Sequence, residues 1–167
     1  MNQLIIPYQK NIKKNFNNFF FNGNKNNLII KNIKEIFSGK HHQIYLEGEK
    51  CFGKSHILHS ACNFFSDKNC IYIPLREENS FKPDILDGFE NYDLICIDDI
   101  NNIFGKKDWE FKIFILINKA LENSKKIIFT STTKPAKDIV NLQDLQSRLS
   151  WSLLLNIEEP TDIIKIK

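Results

Sequence analysis

Residues Gly48-Glu49-Lys50-Cys51-Phe52-Gly53-Lys54-Ser55 spell G-x-x-x-x-G-K-S. They directly follow the apolar run Ile44-Tyr45-Leu46 and directly precede a segment in which Ile57, Leu58, Ala61, Cys62 and Phe65 recur at helical spacing. Strand, glycine-bounded loop and helix in this order predict an α/β chain with a phosphate-binding loop between its first strand and the next helix. The glycines let the backbone wrap closely enough for its N–H groups to face phosphate oxygens. Lys54 adds a point charge for the β and γ phosphates, and Ser55 offers an oxygen to Mg²⁺. The N-terminus of the helix points its dipole at the same place. The pattern predicts binding of a purine nucleotide; the bland alternative is a glycine-containing turn with a solvated lysine.

A real site of this kind needs a second element, a buried strand that ends in acid and faces the loop across the metal. Asp93-Leu94-Ile95-Cys96-Ile97-Asp98-Asp99 has that form. Asp98 is predicted near the metal and Asp99 near an attacking water. Paired acids after a strand are often only a solvated turn, and the upstream loop is what favours the functional reading.

Strands are expected at Ile44 to Leu46, Cys70 to Leu75, Leu94 to Asp98, Lys126 to Ser131 and Ser152 to Ile157, with helical patterns between them that include Ile113, Phe114, Ile117, Ala120 and Leu121. That rhythm predicts a five-stranded parallel sheet with helices on both faces. Ligands of such sheets bind beyond the carboxyl ends of the strands, where the loop, the two acids and Thr130-Ser131-Thr132 all fall. Leu28, Ile29, Ile33 and Phe37 suggest a short helix ending near Gly39. Residues 1–22 read as an N-terminal arm and 23–167 as one nucleotide-binding domain, with the Asn-rich stretch 11–27 biased enough to be loosely structured. A length of 167 residues suits one domain with a proper core.

A net charge of +3, with no basic block beyond Lys13-Lys14, argues against a dedicated DNA-binding surface, so contact with DNA is expected to be indirect. The four cysteines, Cys51, Cys62, Cys70 and Cys96, form no C-x-x-C pair and are read as reduced, which points to the cytoplasm. Cys51 lies in the loop and is either oxidation-sensitive or inert. His56 and His59 are read as helix-surface residues, because no other cluster completes a metal site. No apolar run approaches the roughly 18 residues of a membrane span, and no membrane association is expected.

Several of these segments, taken in order, resemble one family, the DnaA-type AAA+ ATPases of bacterial replication initiation. Gly53-Lys54-Ser55-His56-Ile57-Leu58-His59-Ser60-Ala61-Cys62 is similar to that family's G-K-[ST]-H-L-L-H-A, and Asp144-Leu145-Gln146-Ser147-Arg148-Leu149-Ser150-Trp151 to its D-L-x-S-R-L-x-W-G. The resemblance implies an AAA+ base subdomain that binds ADP or ATP with Mg²⁺. It assigns Arg148 as an arginine finger for a neighbouring subunit's nucleotide and Thr132 to the sensor position; without it, Arg148 would read as a helix-end residue capping carbonyls. Tyr72-Ile73-Pro74-Leu75, Ile85-Leu86-Asp87-Gly88, Leu94 to Asp98 and Asp108-Trp109-Glu110 more closely resemble the Hda branch of DnaA-homologous regulators. Gln3, Leu4, Ile6, Pro7 and Tyr8 look like the short sequence with which that branch grips the replisome's sliding clamp; the alternative is an ordinary tail.

Departures from the pattern carry expectations too. The family branch often has Asp-Asn where this chain has Asp98-Asp99, and commonly Asp where it has Thr132; Trp151-Ser152 replaces Trp-Gly. The sequence reaches Lys167 where the family would begin a helical lid, so the resemblance implies a base subdomain without lid, weak nucleotide binding and poor hydrolysis. The implied role is a regulator that joins the clamp to the DnaA initiator and presents Arg148 to the initiator's ATP, with self-association a further option. A stand-alone ATPase or helicase-loader-like motor using Asp99 is the alternative. A decayed remnant is the third reading, against which the intact loop, acids and arginine speak.

Overall fold

In the computed structural model, residues 14–18 and 24–159 are described. Strands β1 (Gln43–Glu47), β2 (Cys70–Pro74), β3 (Leu94–Asp98), β4 (Lys126–Ser131) and β5 (Leu153–Asn156) form one parallel sheet in the spatial order β2-β3-β4-β1-β5. β3 and β4 are buried along their whole lengths, as near-continuous apolar runs are when both faces of a sheet are covered. β5, at the edge, alternates between half-buried and exposed.

Side chains leave the strands with period two and feed two cores. Tyr45, Ile95, Ile97, Ile127 and Phe129 pack with helices α3 (Lys107–Glu122) and α4 (Gln143–Ser150) on one face. Ile44, Leu46, Leu94, Cys96 and Ile128 pack with α1 (Asn24–Lys34) and α2 (Lys54–Phe64) on the other. The expected α/β class, parallel sheet and two-sided helices are all present. The order matters for function: β3, β4 and β1 lie side by side, so their carboxyl ends bring Asp98-Asp99, Thr130 to Thr132 and the phosphate-type loop to one edge.

The expected strands at Leu94 to Asp98 and Lys126 to Ser131 match in full. β2 stops at Pro74 because Leu75 already opens a 3-10 segment, Leu75–Ser80. β5 is shorter than Ser152 to Ile157 because the N–H of Ser152 is taken by the Leu149 carbonyl at the end of α4. Ile157 still donates to the carbonyl of Glu47 at 2.7 Å. In the Asn-rich stretch the expectation of loose structure fails at two described residues. Phe16 is buried edge-to-face on Phe64, at 5.9 Å between centroids, and Asn26 is buried beneath the chain near Glu158. Composition over a window does not register single side chains that find a pocket.

Asp93 ties the amino ends of three strands. Its carboxylate accepts the N–H of Asn69 at 3.1 Å and the ammonium of Lys125 at 3.0 Å, and these hold its pKa below the usual carboxylate value, the backbone bond first. A lowered folded-state value means stabilisation present above the ordinary aspartate range and lost as pH falls through the lowered one. Asp93→Asn is therefore expected to melt a little below wild type at pH 7, with the gap closing as melting curves are taken at progressively more acid pH.

Candidate nucleotide site

The loop after β1 is pinned at its start, where Gly48 N–H donates to the Ser131 carbonyl at 3.0 Å. A side chain at Gly48 would put its Cβ 3.1 Å from Cβ of Ile157, a contact so tight that Ile157 would have to give way, which favours glycine there. Gly53, at φ 86°, turns the chain into α2 through the left-handed region. Cys51 adopts φ 67° without being glycine and is exposed on the loop.

Lys54, the first residue of α2, is buried, and its ammonium donates to the carbonyls of Gly48 and Glu49, each at 2.7 Å. Burial pulls its pKa below the usual lysine value, and the charges of Asp99 and Asp98 oppose that pull. Ser55 Oγ donates to Asp98 Oδ2 at 2.5 Å, which joins the loop to the end of β3.

Asp98 has no exposed surface and accepts three hydroxyls. Besides Ser55, Tyr72 donates to Oδ2 at 2.6 Å and Thr130 to Oδ1 at 2.5 Å. The Tyr72 ring stacks on His59 at 4.1 Å, and burial followed by the neighbouring Asp98 raises its phenol pKa well above the usual range. Thr130 Oγ1 also accepts the N–H of Asp99 at 2.9 Å, so one threonine sets both acids. Asp99 stands in the left-handed region at φ 54°, half-buried, with its pKa raised by burial and then by Asp98. Tyr72→Phe removes one of the three donors and is expected to cost about 1–2 kcal/mol of stability in denaturant melts, as a hydrogen bond to a carboxylate does.

A cavity of about 580 Å³ opens at this edge of the sheet. Of the residues expected at the site, Lys50, Cys51, Gly53, Lys54, Ser55, Asp99 and Thr132 line it. Gly48 and Glu49 act instead through the carbonyls that hold Lys54, and Phe52 packs against the apolar core beside α1 and α2. Asp98 lies behind its hydroxyls. Thr132 meets the site through its backbone: its N–H donates to Asn101 Oδ1 at 3.2 Å, while the hydroxyl that touches both acids belongs to Thr130, two residues earlier.

Lys14, His56, Arg76, Asn101 and Asn102 also line the cavity; of these only His56 falls within a motif, and the sequence reads it as a surface residue. Arg76 and Asn101 lie just past the carboxyl ends of β2 and β3, so the strand-end rule, applied to every strand, would have found them. His56 is not a helix-surface residue as expected: its Nε2 lies 3.1 Å from the Asn15 carbonyl, and burial lowers its pKa. Gln3, Leu4, Ile6, Pro7 and Tyr8 lie outside the described residues.

The donor set fits a polyphosphate with a divalent cation. Lys54, the loop residues Lys50, Cys51 and Gly53 and the first turn of α2 line the cavity, and a serine hydroxyl already bonded to a carboxylate stands beside them. Among the described residues no group of three or more His, Cys, Asp and Glu could hold a metal by itself. A cation here would be held by Ser55 and Asp98 together with the ligand's own oxygens.

Arg148 is not among the residues lining this cavity. It sits near the end of α4, whose start is capped by the buried carboxylate of Glu110, accepting the N–H groups of Asn141 at 3.1 Å and Leu142 at 2.7 Å. The Arg148 carbonyl accepts Gln43 Nε2 at 3.1 Å, and its guanidinium carbon lies 4.3 Å from the ring centroid of Trp151, which is 64% exposed. Among the described residues the guanidinium makes no ion pair and caps no carbonyl. The aromatic face holds the cation without consuming its N–H donors.

The sequence matches the family model described as "Bacterial DnaA ATPAse domain" over residues 10–156. It is 31% identical over 169 residues to an uncharacterized protein of Haemophilus influenzae, with 99% of this chain and 72% of the relative covered. Among solved structures, a DNA replication initiation factor superposes with a TM-score of 0.77 at 25% identity, covering 89% of this chain and 50% of that one. AMPPCP-bound DnaA from Aquifex aeolicus superposes with a TM-score of 0.76 at 25% identity, covering 90% of this chain and 52% of that one. The chain therefore spans about half the length of these two solved relatives.

Proposed function

Since the chain belongs to the family of bacterial DnaA ATPase domains, we propose that it is a regulator of replication initiation that binds ADP or ATP itself and acts in trans on the ATP of a DnaA-type partner. The observation that carries this reading is the placement of Arg148, which stays away from the chain's own cavity with its N–H donors unspent on an exposed tryptophan. A fixed guanidinium brought to another subunit's γ-phosphate stabilises the charge that develops there in the transition state.

In the chain's own site Lys54 would hold the β and γ phosphates, the loop N–H groups the remaining oxygens, and Ser55 with Asp98 a Mg²⁺ ion. The cation supplies charge neutralisation between phosphates. Thr130 and Tyr72 keep Asp98 in place, and Thr130 aims Asp99. The nucleotide bound there contributes mainly to stability. Gln3, Leu4, Ile6, Pro7 and Tyr8 would tether the protein to the sliding clamp, leaving contact with DNA indirect. The test is Arg148→Ala, which should lose stimulation of the partner's ATP hydrolysis while keeping nucleotide binding; normal stimulation would overturn the reading.

A second reading, a stand-alone or helicase-loader-like ATPase, is favoured by Asp99, which lines the cavity in cis with Lys54. It requires turnover by the chain alone that Asp99→Asn removes.

A further inference from the structure

We infer that Arg76 is an in-cis ligand for the third phosphate of a nucleoside triphosphate, and so gives this chain its own means of telling ATP from ADP. The inference rests on the nucleotide-binding reading of the cavity and extends it to a residue outside every motif discussed above.

Position is the first argument. Pro74 pairs with Asp98 across β2 and β3, and the chain then leaves β2 at the carboxyl edge of the sheet. Arg76, two residues further on, lines the cavity together with Asp99. Its charge acts on Asp99, Tyr72 and His59, which marks the end of the cavity where Asp99 stands. A diphosphate held by Lys54 and the loop would end near the loop, and a third phosphate would extend further into the cavity that Asp99 and Arg76 also line.

Availability is the second. Lys54 spends two of its three N–H donors on loop carbonyls. Arg76 is exposed, and among the described residues its side chain has no ion pair or hydrogen bond. The buried carboxylate two residues on, Glu78, is already paired with Lys106. The guanidinium is thus a forked donor without a protein acceptor, at the rim of a cavity whose lining holds Lys14, Lys50 and Lys54 against Asp99. A terminal phosphate, planar-fork compatible and doubly charged, is the acceptor class that such a group fits.

Titration calorimetry with Mg-ADP and Mg-ATP on wild type, Arg76→Ala and Arg76→Lys tests the inference, with melting curves to check folding. Arg76→Ala is expected to weaken ATP binding by about tenfold or more, the worth of one charge-assisted contact, and to leave ADP binding within about twofold. Arg76→Lys should fall between, since it keeps the charge and loses the fork. Equal loss for both nucleotides, or no loss for either, overturns the inference while the nucleotide-binding reading stands. Wild type that binds neither nucleotide overturns both.

Discussion

Lys54→Ala erases the rise in melting temperature that saturating Mg-ADP or Mg-ATP is expected to give the intact protein. A ligand at about 100 times its dissociation constant adds about 2.7 kcal/mol to the native state, which in a domain of this size raises the melting temperature by about 5–10 °C. The ammonium contributes charge-assisted bonds of about 1.5–3 kcal/mol each, so losing it raises the dissociation constant by about two orders of magnitude and removes the shift at the same ligand concentration. The control is the unliganded variant. Lys54 is buried, its pKa is held down by that burial, and its two acceptors are the backbone carbonyls of buried Gly48 and exposed Glu49. Removing the side chain relieves a desolvated charge and lets water reach those carbonyls, so the unliganded melting temperature should stay close to wild type. A shift of wild-type size in the variant would mean that the nucleotide sits elsewhere.

The parts of this molecule that were legible in the sequence are those whose chemistry is carried by consecutive residues. The loop from Gly48 to Ser55 and the run closing at Asp98-Asp99 are local, and two-sided burial makes β3 and β4 continuous apolar runs whose ends show directly. β5 was harder, because at the sheet's edge the burial pattern weakens and the last turn of α4 competes for Ser152. The hydroxyl cage around Asp98 was legible only in part: Ser55 and Thr130 fall in the expected crevice, whereas nothing in the sequence pointed to the Tyr72 hydroxyl. Ser55, Tyr72 and Thr130 come from three different elements, and only the order β2-β3-β4-β1 makes them meet. Thr130 is a further case: sequence similarity pointed to Thr132, which lines the cavity, but not to Thr130, whose hydroxyl bonds both acids. His56 reads as a surface residue by helical spacing, and only the chain at Lys14 and Asn15 lying over α2 changes that.

Arg148→Ala should reduce partner-dependent ATP hydrolysis by about 10³- to 10⁵-fold, the worth of an arginine finger, with no change in the chain's own affinity for ADP or ATP. The separation of the two effects follows from geometry. The side chain lies outside the cavity, and its backbone is fixed by Gln43 and by the Glu110 cap on α4, so truncation leaves the site and the helix in place. Arg148→Lys should restore little, because an ammonium lacks the planar fork that meets a γ-phosphate with two parallel bonds. A merely structural Arg148 would behave differently. Among the described residues its guanidinium meets the face of an exposed tryptophan and makes no ion pair, a contact worth about 0.5–1 kcal/mol, so a structural role predicts a small loss of stability with stimulation intact. Hydrolysis by the chain alone, measured on the same preparations, separates the regulator from the stand-alone enzyme. Turnover that survives Arg148→Ala and vanishes in Asp99→Asn belongs to the chain's own cavity, whereas hydrolysis that needs both the partner and Arg148 is chemistry on the partner's nucleotide.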